Sequence, residues 1–469
     1  MNGTLVGLLA YVVLITAVGL AIGRKVSGTS DFFVAGRRMG PGLLFATLLA
    51  ANIGSGSTVG AAGLGYRDGL AAWWWVGSAG IGTLLLALWL GPKLWRIAKA
   101  QQLLTVGDYL EHRYGPSVRA SVAIILWLVS LASLAAQLIA MSVILEVVAG
   151  APHWLGAVAG GVVMMIYFVA GGLLSSAWVN LVQLVVLVAG FSLALPMAVA
   201  GAGGLDAVLS PAGAPADYTS FWSGGSSGWT LMIFLAPAFI VSPGILQKTF
   251  GSRDEKALRL GLVLCGVALL LFAFMTPLLG MVARTVAPNL ANPESALPTI
   301  LVQGVPPLVG ILGLAAVLSA EISSADAILF MLATSLSKDL YKRFINPAAS
   351  DAEVLKVARI SAVAGGVAAV TLALAFSSVI ELLKVFYSVL AVALFVPIVL
   401  GIHTRRPGVP EALAAVVAGV FALVVATRLP GGPIFPGLTP SALGLIWSGL
   451  AFSLWFGVRR ALNGAETEE

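Results

Sequence analysis

Leu48-Leu49-Ala50-Ala51-Asn52-Ile53-Gly54-Ser55-Gly56-Ser57-Thr58 begins as an apolar helix and loses its helical character halfway. Each glycine costs a helix about 1 kcal/mol relative to alanine, and two alternate ones flanked by serine invite unwinding. A second anomaly lies far downstream. Ser319-Ala320-Glu321-Ile322-Ser323-Ser324-Ala325-Asp326-Ala327-Ile328-Leu329-Phe330 puts the paired hydroxyls of Ser323 and Ser324 and two acids inside the apolar stretch from Val309 to Ser335. Hydrocarbon does not tolerate unsatisfied polar groups. A chain that places a helix break and hydroxyls at membrane depth is expected to use them, and together the two segments read as an ion and substrate site.

Composition places both segments in a membrane. Hydrophobic residues make up 59% of the 469 residues, charged residues 10%, and mean hydropathy is +1.01. A soluble domain carries about 25% charge, so a soluble enzyme is excluded. Cys265 is the one cysteine, which rules out an internal disulfide and offers no metal pattern. The three histidines, His112, His153 and His403, lie outside the apolar cores.

Apolar runs of about 20 residues mark membrane spans. They fall near 3–23, 41–66, 70–95, 120–149, 154–170, 178–200, 228–246, 258–286, 302–336, 356–376, 378–402, 409–428 and 438–458, giving thirteen helices numbered 0 to 12. The first lacks a basic lead and an A-x-A site, so it reads as a retained helix rather than a signal peptide. Helix 1 carries the glycine-serine break, and helix 6 carries Pro237 and Ser242-Pro243-Gly244. Proline removes a backbone donor and clashes with the preceding turn. Each broken helix opens a group of five, which predicts an inverted repeat.

The fold expected is therefore an all-α polytopic membrane protein with a five-plus-five core. A single transmembrane domain would span 1–469, with an extra N-terminal helix at 3–23, a first repeat at 41–200, an inverted second repeat at 228–402 and two C-terminal helices at 409–458.

Basic residues set orientation. All of the 26 lysines and arginines except Arg67, Arg284, Lys384 and Arg428 fall in loops on one side. That predicts an outside N-terminus, a cytoplasmic C-terminus and a place in the cell (inner) membrane. The basic loops read as topology determinants, which accounts for the net charge of +6 without a nucleic-acid partner. The 201–227 loop, without lysine or arginine, should be external. Residues 104–114, LTVGDYLEHRY, read as a short interfacial helix, and Gly156-xxx-Gly160 as a packing face.

At 100° per residue, Ala320, Ser323, Ser324 and Ala327 share one face of helix 8. Paired hydroxyls beside unwound carbonyls suit a hard cation, which prefers oxygen ligands. Serines can instead satisfy themselves on the preceding turn. Asp326 lies one turn beyond Ser323, whereas Glu321 points about 100° from Ala320. A buried acid at membrane depth is a functional candidate.

These motifs resemble the sodium/solute symporter family. The matches are Asp31-Phe32-Phe33-Val34-Ala35-Gly36-Arg37, residues 48–57, Gln247-Lys248, residues 319–330, and Lys338-Asp339-Leu340-Tyr341-Lys342. The resemblance implies a leucine-transporter-like fold and a sodium ion held by the carbonyls of Ala50, Ile53 and Ala320 with the hydroxyls of Ser323 and Ser324. Where some members have an aspartate in helix 5, this chain has Asn180; where they have a serine in helix 8, it has Asp326. That pair is expected to hold a second cation or a proton.

Sugar-carrying members have a glutamate where Val76 stands, which argues against a sugar. The glycine-serine break resembles a nest of amide donors and suits a carboxylate. Asn52, Ser55, Ser57, Thr58, Trp75 and Gln137 are the expected substrate-lining residues, while Trp73 and Trp74 fit an interfacial belt, and Glu381 with Lys384 an ion pair in helix 10.

The expected function is sodium-coupled symport of a small organic solute, a carboxylate or amino acid, by alternating access. The alternative is proton coupling through Asp326 or Glu321. A membrane sensor or membrane enzyme would need a signalling domain or an interfacial catalytic cluster, and the sequence shows neither.

Overall fold

The computed structural model describes residues 3–23, 37–222, 228–404, 408–428 and 438–465. The motif stretch Asp31–Gly36 lies outside them. Among the described residues the chain is helical, and its only strand-like pairing is one isolated bridge between Met39 and Ser252. Among the described residues, ten helices are long and apolar enough to cross a membrane, and three shorter apolar helices join them, Gly3–Val18, Pro41–Asn52 and His153–Ile166.

The helices are α1 (Gly3–Gly23), α2 (Pro41–Asn52), α3 (Ala61–Asp68), α4 (Trp73–Leu85), α5 (Gly91–Ala100), α6 (Val106–Tyr114), α7 (Pro116–Ala149), α8 (His153–Gly201) and α9 (Leu205–Leu209). There follow α10 (Met232–Val241), α11 (Pro243–Phe250), α12 (Glu255–Val286), α13 (Ala296–Gln303), α14 (Pro307–Thr334), α15 (Asp351–Ala375), α16 (Val379–His403), α17 (Val409–Arg428) and α18 (Pro440–Ala465).

Local chemistry sets several boundaries. Pro41, at the first turn of α2, supplies a φ already suited to a helix. α2 stops at Asn52, because Ile53 is extended (φ −101°, ψ 105°). The chain becomes helical again through a wide turn, Gly56–Gly60, in which the Gly60 amide reaches back to Ser55 O at 2.8 Å. α3 ends at Gly69, whose φ of +68° favours glycine, and a Cβ there would lie 1.9 Å from Tyr218 O. α10 breaks at Ser242, and Pro243 starts α11. The expected interfacial helix is α6, fixed by a capping box between Thr105 and Asp108.

Three boundaries differ from the sequence reading. The predicted 302–336 span divides: α13 ends at Gln303, and α14 begins at Pro307 because Pro306 and Pro307 cannot continue a helix. Its helical path then runs on as a wide-turn segment to Ile345, so Lys338–Lys342 belong to it. The predicted pair 154–170 and 178–200 is helical throughout His153–Gly201. His153 bonds Ser142 and Ala373 O, and Gly201 backs onto Gly304. Gly156 and Gly160 pack on Ser142 and Met141 of α7, as the small-residue spacing predicts.

One end of the molecule gathers the basic residues. Arg37 donates to Leu103 O and Phe250 O, Arg96 pairs with Glu255, and Arg113 donates to Gly401 O and Thr404 O. Two further basic residues from these loops are buried. Arg119 is buried and forms ion pairs with Asp108 (2.9 Å), Glu111 (2.8 Å) and Asp339 (2.7 Å). Lys248 is 3% exposed. A buried charge has to be paired, and each has found a specific partner.

Candidate functional site

The break after α2 faces α14. Ile53 and Gly54 leave the helical path, so the carbonyls of Ala50, Ala51 and Ile53 lose their partners one turn ahead. The hydroxyls of α14 fill that gap. Ser323 Oγ lies 2.8 Å from Ala50 O and 3.1 Å from Ala320 O; Ser324 Oγ lies 2.9 Å from Ile53 O and 3.4 Å from Ala50 O and Ala51 O. Ala50, Ile53, Ala320, Ser323 and Ser324 are at most 4% exposed. Gly54 makes the approach feasible: a Cβ there would sit 2.4 Å from Ser324 Oγ and 2.9 Å from Gln137 Oε1.

The carbonyls of Ala50, Ile53 and Ala320 with the hydroxyls of Ser323 and Ser324, five oxygens, suit a hard monovalent cation. A carbonyl is acceptor only, and each hydroxyl can turn its lone pairs inward when an ion arrives. The set contains no sulfur, nitrogen or carboxylate, and among the described residues no group of three or more His, Cys, Asp or Glu side chains forms a metal site. An exchangeable cargo ion fits this set better than a tightly held transition metal does.

A cavity of about 60 Å³ adjoins the break. Asn52, Ser57 and Gln137 line it, joined by Ser133, Ser242 and Tyr387. Ser55, Thr58 and Trp75 do not line it, for distinct reasons. The Ser55 amide is taken by Gln137 Oε1 at 2.9 Å, and its hydroxyl is buried. The Thr58 hydroxyl turns to Gly54 O (2.9 Å) and Glu321 Oε1 (2.8 Å). Trp75 is buried edge-to-face against Tyr387, 6.3 Å between ring centres. The sequence signalled Ser242, through the Ser-Pro-Gly break. Tyr387, in a continuous apolar helix, had no such signal.

The acids separate as their helical angles require. Glu321 contacts Thr58, and its Oε2 has no partner among the described residues. Asp326 is buried on the level of Thr47. Asn180 Nδ2 reaches Thr47 Oγ1 at 3.4 Å, and Lys248 Nζ donates to Thr47 O at 3.0 Å. Lys248 is also within electrostatic reach of Asp326. The compensation expected for Asp326, a bound cation or a proton, overlooked this ammonium.

Trp73 and Trp74 donate to Leu270 O and Phe221 O. Glu381 and Lys384 form no direct ion pair among the described residues. Both line a second cavity of about 570 Å³ with Arg67 and Glu294. Burial pushes the Glu294 carboxyl up, against the amides of Val379 and Ile380 and the Ser378 hydroxyl that it accepts from.

Comparison with known proteins agrees across the chain's length. Residues 32–419 match the model of the sodium:solute symporter family. The chain is 30% identical to a sodium/pantothenate symporter of Escherichia coli (strain K12), over 94% of each chain. It is 25% identical to a sodium/glucose cotransporter of Vibrio parahaemolyticus, covering 88% of this chain and 83% of that one. A Na+-coupled sialic acid symporter, solved substrate-bound and outward-open, superposes with a TM-score of 0.80 at 18% identity, over 96% of this chain and 97% of that one.

Proposed function

The chain belongs to the sodium:solute symporter family, and we propose that it carries a small organic carboxylate or amino acid across the cell membrane with sodium. The observation that carries this reading is the meeting of Ser323 and Ser324 with the carbonyls of Ala50 and Ile53 at the break after α2. Ala50, Ile53, Ala320, Ser323 and Ser324 hold the ion. Its positive charge draws the broken ends together and orders the wall of the adjoining cavity, so sodium and solute favour the same conformation.

The solute site is the cavity beside the break. Its polar wall comes from Asn52, Ser57, Ser133 and Gln137. Gly244 and Ile245, the first residues of α11 after its proline, also line it. Their amides cannot reach a carbonyl within their own helix and favour an anionic group. One relative is named for pantothenate, itself a carboxylate. Solute clefts run to ~300–1,000 Å³, so a cavity of about 60 Å³ is a contracted state. Alternating access opens it by moving the half-helices on either side of the breaks.

Thirteen spans in a five-plus-five inverted repeat carry this site. The basic end of the molecule is cytoplasmic by the positive-inside rule, which leaves the N-terminus outside. Proton coupling is a second reading, favoured by one observation: Glu321 is fully buried with one oxygen unpartnered and the other on Thr58, beside the break.

Thermal unfolding of the purified protein in sodium and in choline tests the assignment. Sodium should raise the midpoint, and small carboxylates should raise it further only with sodium present. Carboxylate stabilisation that ignores sodium and follows pH would move the coupling to Glu321.

A further inference from the structure

Lys248 occupies an unusual place for a lysine. It is 3% exposed although it is the sixth of the eight residues of α11, close to the helix end, and its ammonium donates to the Thr47 carbonyl at 3.0 Å. α2 runs from the basic end toward the break, and α14 runs back toward that end. Ser323 of α14 touches Ala50 of α2. One turn back along α2 is Thr47, and one turn onward along α14 is Asp326, so antiparallel helices bring the two to one level. Asn180 reaches the same level through Thr47 Oγ1 at 3.4 Å. Cys265, a thiol, is the other titratable group in reach of the ammonium. Neither an ammonium nor a carboxylate is tolerated alone at such a depth.

Resting on the sodium reading above, we propose that the Lys248 ammonium is a tethered cation that replaces a second coupling ion at the level of Thr47, Asn180 and Asp326. It neutralises Asp326 without exchanging with solution. The site at Ala50, Ile53, Ala320, Ser323 and Ser324 is then the one that loads and unloads, and a cycle moves one sodium. An ammonium on a flexible four-carbon stem can follow α11 as the half-helices move and stay paired.

Equilibrium binding of radioactive sodium to the purified full chain, with thermal unfolding in choline, tests this on wild type, Lys248→Met, Asp326→Asn and the double variant. Wild type should bind one sodium. Lys248→Met leaves Asp326 without its cation, so it should bind two, with a steeper isotherm. The double variant should return to one. In choline the two single variants should lower the midpoint, and the double should lower it less than their sum.

Two sodium ions on wild type, a wild-type isotherm on folded Lys248→Met, or additive midpoints would overturn the proposal. If Lys248→Met does not fold, recovery of folding in the double variant supports the pair, and its failure to recover counts against it. Absence of sodium binding to wild type would defeat the sodium reading instead, while the choline midpoints would still decide whether Lys248 and Asp326 are coupled.

Discussion

Replacing Ser324 by alanine removes an oxygen from the break without adding bulk. Its Oγ is 2.9 Å from Ile53 O and 3.4 Å from Ala50 O and Ala51 O. In sodium-free buffer the buried Ile53 carbonyl loses its donor, a cost of about 1–3 kcal/mol. Sodium loses one oxygen of five, and a tenfold to hundredfold weakening is about 1.4–2.8 kcal/mol. The signal follows from linkage. With an assumed dissociation constant of about 1 mM, sodium at ~100 mM stabilises the wild type by about 2.7 kcal/mol. A tenfold weaker site leaves about 1.4 kcal/mol of that, and a hundredfold weaker one about 0.4 kcal/mol.

Unfolding midpoints across a sodium series, with choline keeping ionic strength constant, separate the two effects. The sodium-free midpoint reads the lost hydrogen bond, and the sodium increment reads the lost ligand. Ser319→Ala is the control, since Ser319, also on α14, bonds Ala315 O and the Tyr11 hydroxyl of α1 but touches no carbonyl at the break. A wild-type sodium increment in Ser324→Ala would refute the assignment, whatever the sodium-free midpoint does.

Gly54→Ala would put a Cβ 2.4 Å from Ser324 Oγ; overpacking costs about 1–3 kcal/mol, and the same melts should show the sodium increment abolished. In a Cys265→Ala background, a cysteine at the exposed Ala216 should react with an impermeant maleimide on intact cells, and one at the exposed Lys256 only after permeabilisation. The reverse pattern inverts the topology. For Asp108, burial pushes the carboxyl up, but Lys338, Arg119 and the amides of Leu104 and Thr105 outweigh it and hold the group below its usual range. A depressed folded value contributes stability above the unfolded value of about 3.9 and loses it as pH falls. Asp108→Asn should therefore lower the midpoint at pH 7, and the gap to wild type should close toward pH 3.

The meeting of Ser323 and Ser324 with the break, the proposed ion site, was legible because its signals are local. A glycine-serine interruption in helix 1 and two serines one residue apart in helix 8 mark positions that a plain span would not use, and helical periodicity puts Ser323, Ser324 and Ala320 on one face. The wall of the adjoining cavity was half legible. Asn52, Ser57 and Gln137 line the cavity, while Thr58 and Ser55 were claimed by Glu321 and Gln137, partners 263 and 82 residues away that no local pattern reveals. Lys248 was misread for the same reason. In sequence it belongs with the basic residues Arg253 and Lys256 of a loop. Only the break at Ser242, which lets α11 fold back against α2, carries it to Thr47.

One sodium per cycle makes the charge of the solute decide the driving force. An assumed membrane potential of 150 mV contributes roughly 3.5 kcal/mol per net charge moved, and an assumed tenfold sodium gradient about 1.4 kcal/mol. A zwitterionic amino acid carried with one sodium moves one charge and draws on both, enough for roughly a thousandfold accumulation. A monocarboxylate carried with one sodium moves no net charge and draws on the chemical gradient alone, about tenfold. The two solute classes left open by the cavity therefore separate by a single measurement in proteoliposomes: the response of sodium-driven uptake to an imposed potassium diffusion potential. Uptake of a monocarboxylate should be indifferent to it. In Lys248→Met, where a second sodium replaces the tethered ammonium, the same uptake should become potential-driven. Potential-driven monocarboxylate uptake by the wild type would mean that more than one sodium already moves, and that Lys248 replaces none.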